Sequence, residues 1–270
     1  MLEVNTICKT FNPGTPNEVR SLQSVKLAID EGSFVVVIGT NGSGKTTLLN
    51  AVAGTFLVDS GTIHVASTNM TNWPEYRRAS VIGRVFQNPF SGTAPSMTIA
   101  ENLALATKRG QPRRLGWALP RTVQSDFRDR IRTLNMGLEV RLNNPIGSLS
   151  GGQRQALTLL MATWLKPKLL LLDEHTAALD PKSADQVIRL SNDIISRDRL
   201  TTLMVTHSMQ QAVNLGDRLI MMHQGRIIHD FRGAEKSRLR VNELLDRFED
   251  VRRSDQLDES AAELLRAVYI

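Results

Sequence analysis

A chain of 270 residues with 41% hydrophobic content can bury the core of one large α/β domain, or of a domain with a sizeable insertion, and is too apolar to stay disordered. With 33 Lys and Arg against 27 Asp and Glu, its formal charge of +6 permits contact with nucleotide, nucleic acid or an anionic membrane surface and selects none of them. The single cysteine, Cys8, excludes an internal disulfide and a thiol-rich metal site, and no apolar run approaches the roughly 18 residues a membrane span needs.

The N-terminus, MLEVNTICKTF, has no charged-then-apolar secretion pattern, so a soluble chain in a reducing cytosolic setting is expected. Residues 2–8 and 22–29 alternate as half-exposed strands do, whereas FVVVIG at 34–39 is continuously apolar, as a strand buried on both faces should be. A Gly-rich TNGSG follows, then KTTLLNAVAG at helical spacing, ending on Gly54. Segments 61–67 and 81–86 read as further strands. Helical patterns then occupy 98–108, about 122–135 and 150–165. LLLLD at 169–173, a helix at 182–197 and a strand at 200–207 restore the α/β alternation. Residues 217–231 suggest a hairpin around Gln224-Gly225, and the charged tail beyond 234 reads as helical. The expected fold is α/β: a mostly parallel sheet with an antiparallel N-terminal portion and a helical insertion. The expected division is a core of 1–87 and 167–232, a helical unit of 88–166 and a tail of 233–270.

Gly39–Thr46, GTNGSGKT, fits the phosphate-loop pattern G-x-x-x-x-G-K-[ST], in the strand–loop–helix context that pattern requires. Its glycines let successive backbone N–H groups turn inward onto phosphate oxygens, and the following helix adds its positive end. Lys45 would reach the β- and γ-phosphates, and Thr46 would give its hydroxyl to Mg²⁺. A phosphate loop needs a metal-binding element from a neighbouring strand. LLLLDE supplies it, with Asp173 orienting the metal shell and Glu174 polarising an attacking water.

With those elements in order, the sequence resembles the ATP-binding subunits of ABC (ATP-binding cassette) transporters, a branch of the P-loop NTPase fold, over about residues 1–232. LSGGQ at Leu149–Gln153 matches the family signature, Gln87 looks like the Q-loop glutamine, ALD at 178–180 like the D-loop and His207 like the switch histidine. The resemblance implies ATP and Mg²⁺ as cofactors, with Thr46, Gln87 and Asp173 around the metal. It implies nucleotide contacts from Phe11 on adenine, from Gly39, Thr40, Asn41, Gly42, Ser43, Gly44, Lys45, Thr46 and Thr47, and, across a head-to-tail dimer, from Ser150, Gly151, Gly152, Gln153 and Asp180. Glu174, His207 and Gln87 would carry the hydrolysis. The implied partners are a second ATP-binding subunit, an integral membrane permease and an extracytoplasmic solute-binding protein, with no nucleic acid. The implied location is the cytoplasmic face of the cell membrane, held there by the permease.

The sequence departs from the family at His175, where proline is common. It reads as a turn or packing residue, the alternative being that a protonated His175 lowers the basicity of Glu174. Lys108–Arg121 holds five basic residues and no acid, suiting lipid headgroups, the membrane partner or an exposed loop. Cys8 and Met221-Met222 read as core. Among functions, import resembling that of cassettes with branched-chain-amino-acid-type permeases comes first, with amino acids as the cargo that resemblance suggests. Lipid or lipoprotein extrusion, or force transmission across the envelope, is the alternative. A DNA-repair ATPase ranks below both, because the insertion lacks heptads and cysteines.

Overall fold

The computed structural model describes residues 1–111, 121–251 and 253. Two sheets organise the chain. The first is antiparallel in the order β2-β1-β4-β5, from β1 (Leu2–Phe11), β2 (Val19–Ile29), β4 (Ser60–Val65) and the short β5 (Thr68–Asn69). The second has six strands in the order β10-β9-β3-β8-β7-β6. It contains β3 (Phe34–Gly39), β6 (Ile82–Val85), β7 (Leu169–Asp173), β8 (Thr201–Val205) and the hairpin β9 (Arg218–His223) and β10 (Arg226–Arg232). Every pairing in it is parallel except that hairpin.

The continuous apolar runs seen in the sequence are the central strands: all six residues of β3 and all five of β7 and β8 are buried. Helix α1 (Lys45–Ala53) covers one face of this sheet, where Leu48, Leu49 and Val52 pack on Val35, Val37, Leu171 and Val205 together with the antiparallel sheet. The opposite face carries α6 (Pro181–Asp198) and α7 (Met209–Asn214). Between β6 and β7 lie α3 (Ile99–Thr107), α4 (Arg121–Arg132) and α5 (Gly151–Thr163), which assemble their own apolar cluster around Leu103, Phe127, Ile131, Leu157 and Trp164. Phe127 and Trp164 meet edge to face at 5.3 Å.

Several local expectations shift. β1 runs to Phe11 and β2 starts at Val19, longer than the alternating segments, because the two pair through register shifts that break the period of two. Cys8 sits at such an irregularity and is only partly buried, its sulfur accepting the Ser24 N–H at 3.3 Å, so it is not the core residue expected. Met221 and Met222 are fully buried. Short α2 (Glu75–Arg78), α7 and the strand β5 were too brief to show periodicity. The tail beyond α8 (Gly233–Arg238) continues, as expected, in helical residues 241–251. Leu239, Leu244 and Phe248 join the core cluster on the α7 face, while Leu257, Leu264 and Leu265 lie outside the described residues. So does most of the basic 108–121 segment.

Candidate functional site

The carboxyl ends of three adjacent parallel strands, β3, β8 and β7, converge on one rim of the sheet. From β3 the chain enters the loop Thr40–Gly44 and turns directly into α1. Gly44 sits at φ +96°, and a Cβ there would come within 2.5 Å of the Ser21 carbonyl oxygen, so the turn accepts glycine alone. Lys45 is buried and donates from Nζ to the Gly39 and Thr40 carbonyls at 3.0 and 2.9 Å, which fixes the loop's curl. Burial pushes its ammonium pKa down, against the opposing pull of Glu174 and Asp173. Thr46 is exposed beside it and Thr47 half-buried. The residues Asn41–Thr47 line a cleft of about 360 Å³ together with Val19, Ser21, Glu174 and His207. A neighbouring cavity of about 590 Å³ is lined by Gly39–Ser43, His207, Met209, His223, Gln224 and Phe248.

β7 delivers the two acids differently. Asp173, its last residue, is buried on the α1 side, where Arg84 Nη2 reaches its Oδ2 at 3.2 Å. Its carboxyl pKa is raised: burial outweighs the lowering pull of Arg84 and Lys45. Glu174 has left the strand at φ +44°, a left-handed conformation uncommon for a residue with a side chain, and its N–H bonds the Val205 carbonyl at 3.0 Å. That bend turns its carboxylate toward the cleft. Gln87 donates from Nε2 to Oε2 at 3.1 Å, and His207 Nε2 lies 2.5 Å from Oε1. His207 stands two residues beyond the end of β8, on the turn into α7 rather than at the strand end expected. Asp173, Glu174, Gln87, His207 and the phosphate loop are thus brought to one place.

The signature segment is elsewhere. Ser150 caps α5, its hydroxyl accepting the Gln153 N–H at 3.3 Å, and Gln153 Oε1 accepts the Ser150 N–H in return. Neither Ser150 nor its neighbours line the phosphate-loop cleft of their own chain. Gly151 and Gly152 instead let α5 start against the head of α6. A Cβ on Gly151 would lie 3.0 Å from Leu179, and one on Gly152 2.8 Å from Ser183. Asp180 caps α6 by accepting the Ser183 N–H. Phe11 packs edge-on against Phe56 at 5.3 Å under the Lys9 ammonium, and does not line the cleft; Val19, its partner across β1 and β2, does.

His175 turns away from Glu174's partners. It is 1% exposed, and its Nε2 lies 3.0 Å from the Ser191 hydroxyl of α6. Burial pushes its pKa down to about 4, so the ring is neutral at physiological pH and serves packing; a protonated neighbour tuning Glu174 has no place here. Sequence reasoning missed Arg84. The signal was present in VIGRVF, where one charged residue interrupts an apolar strand three positions before Gln87.

The site's donors suit a magnesium-bound triphosphate. Ser43 Oγ is buried without a hydrogen-bond partner while Ser43 lines both cavities, and such a hydroxyl gains by donating to a phosphate oxygen. The Thr46 hydroxyl and the Asp173 carboxylate are hard oxygen donors, yet no group of three or more His, Cys, Asp or Glu able to hold a metal occurs among the described residues. The metal would therefore come with phosphates and water rather than in an all-protein cage.

Comparison with known proteins matches residues 22–177 to the family described as ABC transporter. The chain is 44% identical over 251 residues to the tyrosine transport ATP-binding protein of Clostridioides difficile (strain R20291), covering 92% of this chain and 99% of that one. It is 32% identical over 232 residues to the spermidine/putrescine import ATP-binding protein PotA of Haemophilus influenzae (strain 86-028NP), covering 85% of this chain and 57% of PotA. The dimeric post-hydrolysis structure of the ATP-binding cassette MJ0796 with ADP and Pi superimposes with a TM-score of 0.73 at 26% identity, over 86% of this chain and 98% of that one.

Proposed function

This chain belongs to the ABC transporter family as an ATP-binding subunit that hydrolyses ATP, and from that premise we propose that it powers the import of an aromatic amino acid through a separate permease. The observation that carries the cargo is the 44% identity, over 92% of this chain, with a tyrosine transport ATP-binding protein; PotA, 32% identical, names a different solute. An extracytoplasmic binding protein delivering the solute belongs to the same reading. Cassettes of this family work as dimers with membrane permeases, and no helix among the described residues is long and apolar enough to cross a membrane.

At the site, we infer that the loop amides, Lys45 and the start of α1 hold the triphosphate, with Thr46 and Asp173 on the magnesium ion. When bound, that ion neutralises charge on the β- and γ-phosphate oxygens. Glu174 accepts the proton of the attacking water as its oxygen bonds the γ-phosphorus and the bond to the β-phosphate's bridging oxygen breaks. His207 and Gln87 hold the two oxygens of that carboxylate, so the base is oriented before substrate arrives. Ser150 and the glycines of α5, remote from their own cleft, suit the γ-phosphate held by a second copy, which makes the pair head to tail. Gln87 leads into the segment that carries α3 to α5, and Gln155 of α5 donates to the Phe86 carbonyl at 3.1 Å, so a change at Gln87 reaches that helical unit directly.

The test is to purify the chain with its membrane partner, reconstitute both in vesicles and measure ATP hydrolysis with tyrosine, leucine or spermidine supplied at the binding-protein side. Stimulation by tyrosine or another aromatic amino acid is expected. Stimulation by spermidine alone, or a four-span partner that moves no solute, overturns the cargo assignment.

A further inference from the structure

From the clamp that its side chain forms, we propose that Arg84 is a positioning residue for the magnesium site, a role that rests on the assignment of Asp173 and Thr46 to the metal. Arg84 lies on β6 in register with Leu171, so it shares the α1-facing side of the sheet with Asp173 two residues on. Its side chain is nearly enclosed, 12% exposed, and its Nη2 donates both to Asp173 Oδ2 at 3.2 Å and to Asn50 Oδ1 at 2.6 Å. Nη1 donates to the Thr55 hydroxyl at 3.2 Å and approaches Glu75 at 3.8 Å.

Asn50 is four residues after Thr46 on α1, hence on the same helix face one turn along. One planar cation therefore ties the face that carries the Thr46 hydroxyl to the carboxylate of Asp173. A planar fork with fixed donors does this where a lysine, with a single ammonium, cannot bridge all the same acceptors. The same guanidinium packs 4.5 Å over the ring of Phe86, which follows the end of β6 and precedes Gln87, the residue that holds Glu174. Its cation also offsets the charge of an acid whose side chain is itself only 10% exposed.

Outer partners that orient metal ligands commonly change metal affinity by about 10–100-fold when removed. The experiment measures Mn²⁺ binding by electron paramagnetic resonance with ATP present, and ATP binding in EDTA, for the full chain and for Arg84→Met, Arg84→Lys and Asp173→Asn. Arg84→Met should weaken Mn²⁺ by about tenfold or more while metal-free ATP binding stays within about twofold. Arg84→Lys should recover part of the loss. If Arg84→Met does not fold, Arg84→Lys alone decides, with a measurable loss expected. Unchanged Mn²⁺ affinity in the Arg84 variants, while Asp173→Asn weakens it, overturns this inference and leaves the metal assignment standing. Unchanged affinity in Asp173→Asn overturns the metal assignment itself, and the inference with it. A loss of metal-free ATP binding equal to the loss of Mn²⁺ binding also overturns it, because it marks general disorder of α1.

Discussion

His175→Leu separates packing from catalysis at the histidine beside the proposed base. In the native chain the ring is enclosed and its pKa is pushed down to about 4 from the usual 6.5. The folded state thus binds the proton more weakly than the unfolded chain. The neutral ring's contribution is complete above about pH 6.5 and drains away as pH falls toward 4. Two and a half pKa units correspond to about 3 kcal/mol once both states are protonated, and to about 2 kcal/mol at pH 5. Leucine fills the same space, cannot titrate, and leaves the Ser191 hydroxyl with its bond to the Val187 carbonyl. Urea unfolding at pH 7.5 and 5.0 should show the native chain losing about 2 kcal/mol more than His175→Leu, the carboxylates cancelling in the comparison. The pH profile of ATP hydrolysis should coincide for the two proteins. Equal acid losses in both would refute the buried neutral ring; a shifted hydrolysis profile would restore a catalytic role.

Glu174→Gln should still bind ATP but hydrolyse it at least ~100-fold more slowly, the scale for losing a general base, as single-turnover phosphate release would report. Ser150→Arg should leave ATP binding to the monomer within a few-fold and abolish ATP-driven dimerisation in sedimentation, since the proposed inter-subunit contact lies outside its own cleft. Arg78→Met removes a buried guanidinium that donates to the Ala51 and Val52 carbonyls at the end of α1 and to those of Thr71 and Trp73. Those acceptors lose their partners together, so a cost of about 3 kcal/mol or more in urea unfolding is expected, against at most about 1 kcal/mol for the Arg77→Met control, which is exposed and loses only its stacking on Trp73.

How much could be read in advance differed by element. The central strands were legible because burial on both faces leaves unbroken apolar runs, and the phosphate loop because its backbone demands glycine at fixed spacing. What the chain brings together from afar was not legible. The left-handed turn at Glu174 has no residue signature, and the Arg84 bond to Asp173 spans 89 positions. His175 was ambiguous for a different reason: a histidine's role follows from which way its ring points, and only the packing of α6 fixes that. The edges of the antiparallel sheet were blurred by its register shifts, which scramble an alternation that pattern reading relies on.

The close seating of α5 on α6 changes how variants in the signature would have to be interpreted. At Gly152 a methyl group meets Ser183, and at Gly151 it meets Leu179, within the same chain. Substitution there wedges two helix heads apart before any second molecule is involved. A defective Gly152 variant accordingly reports first on the seating of α5 against the first turn of α6, and only through it on nucleotide. Ser150 is exposed and caps α5, so a replacement there that keeps the cap, such as Ser150→Asp, is the one whose loss of function speaks for the dimer itself.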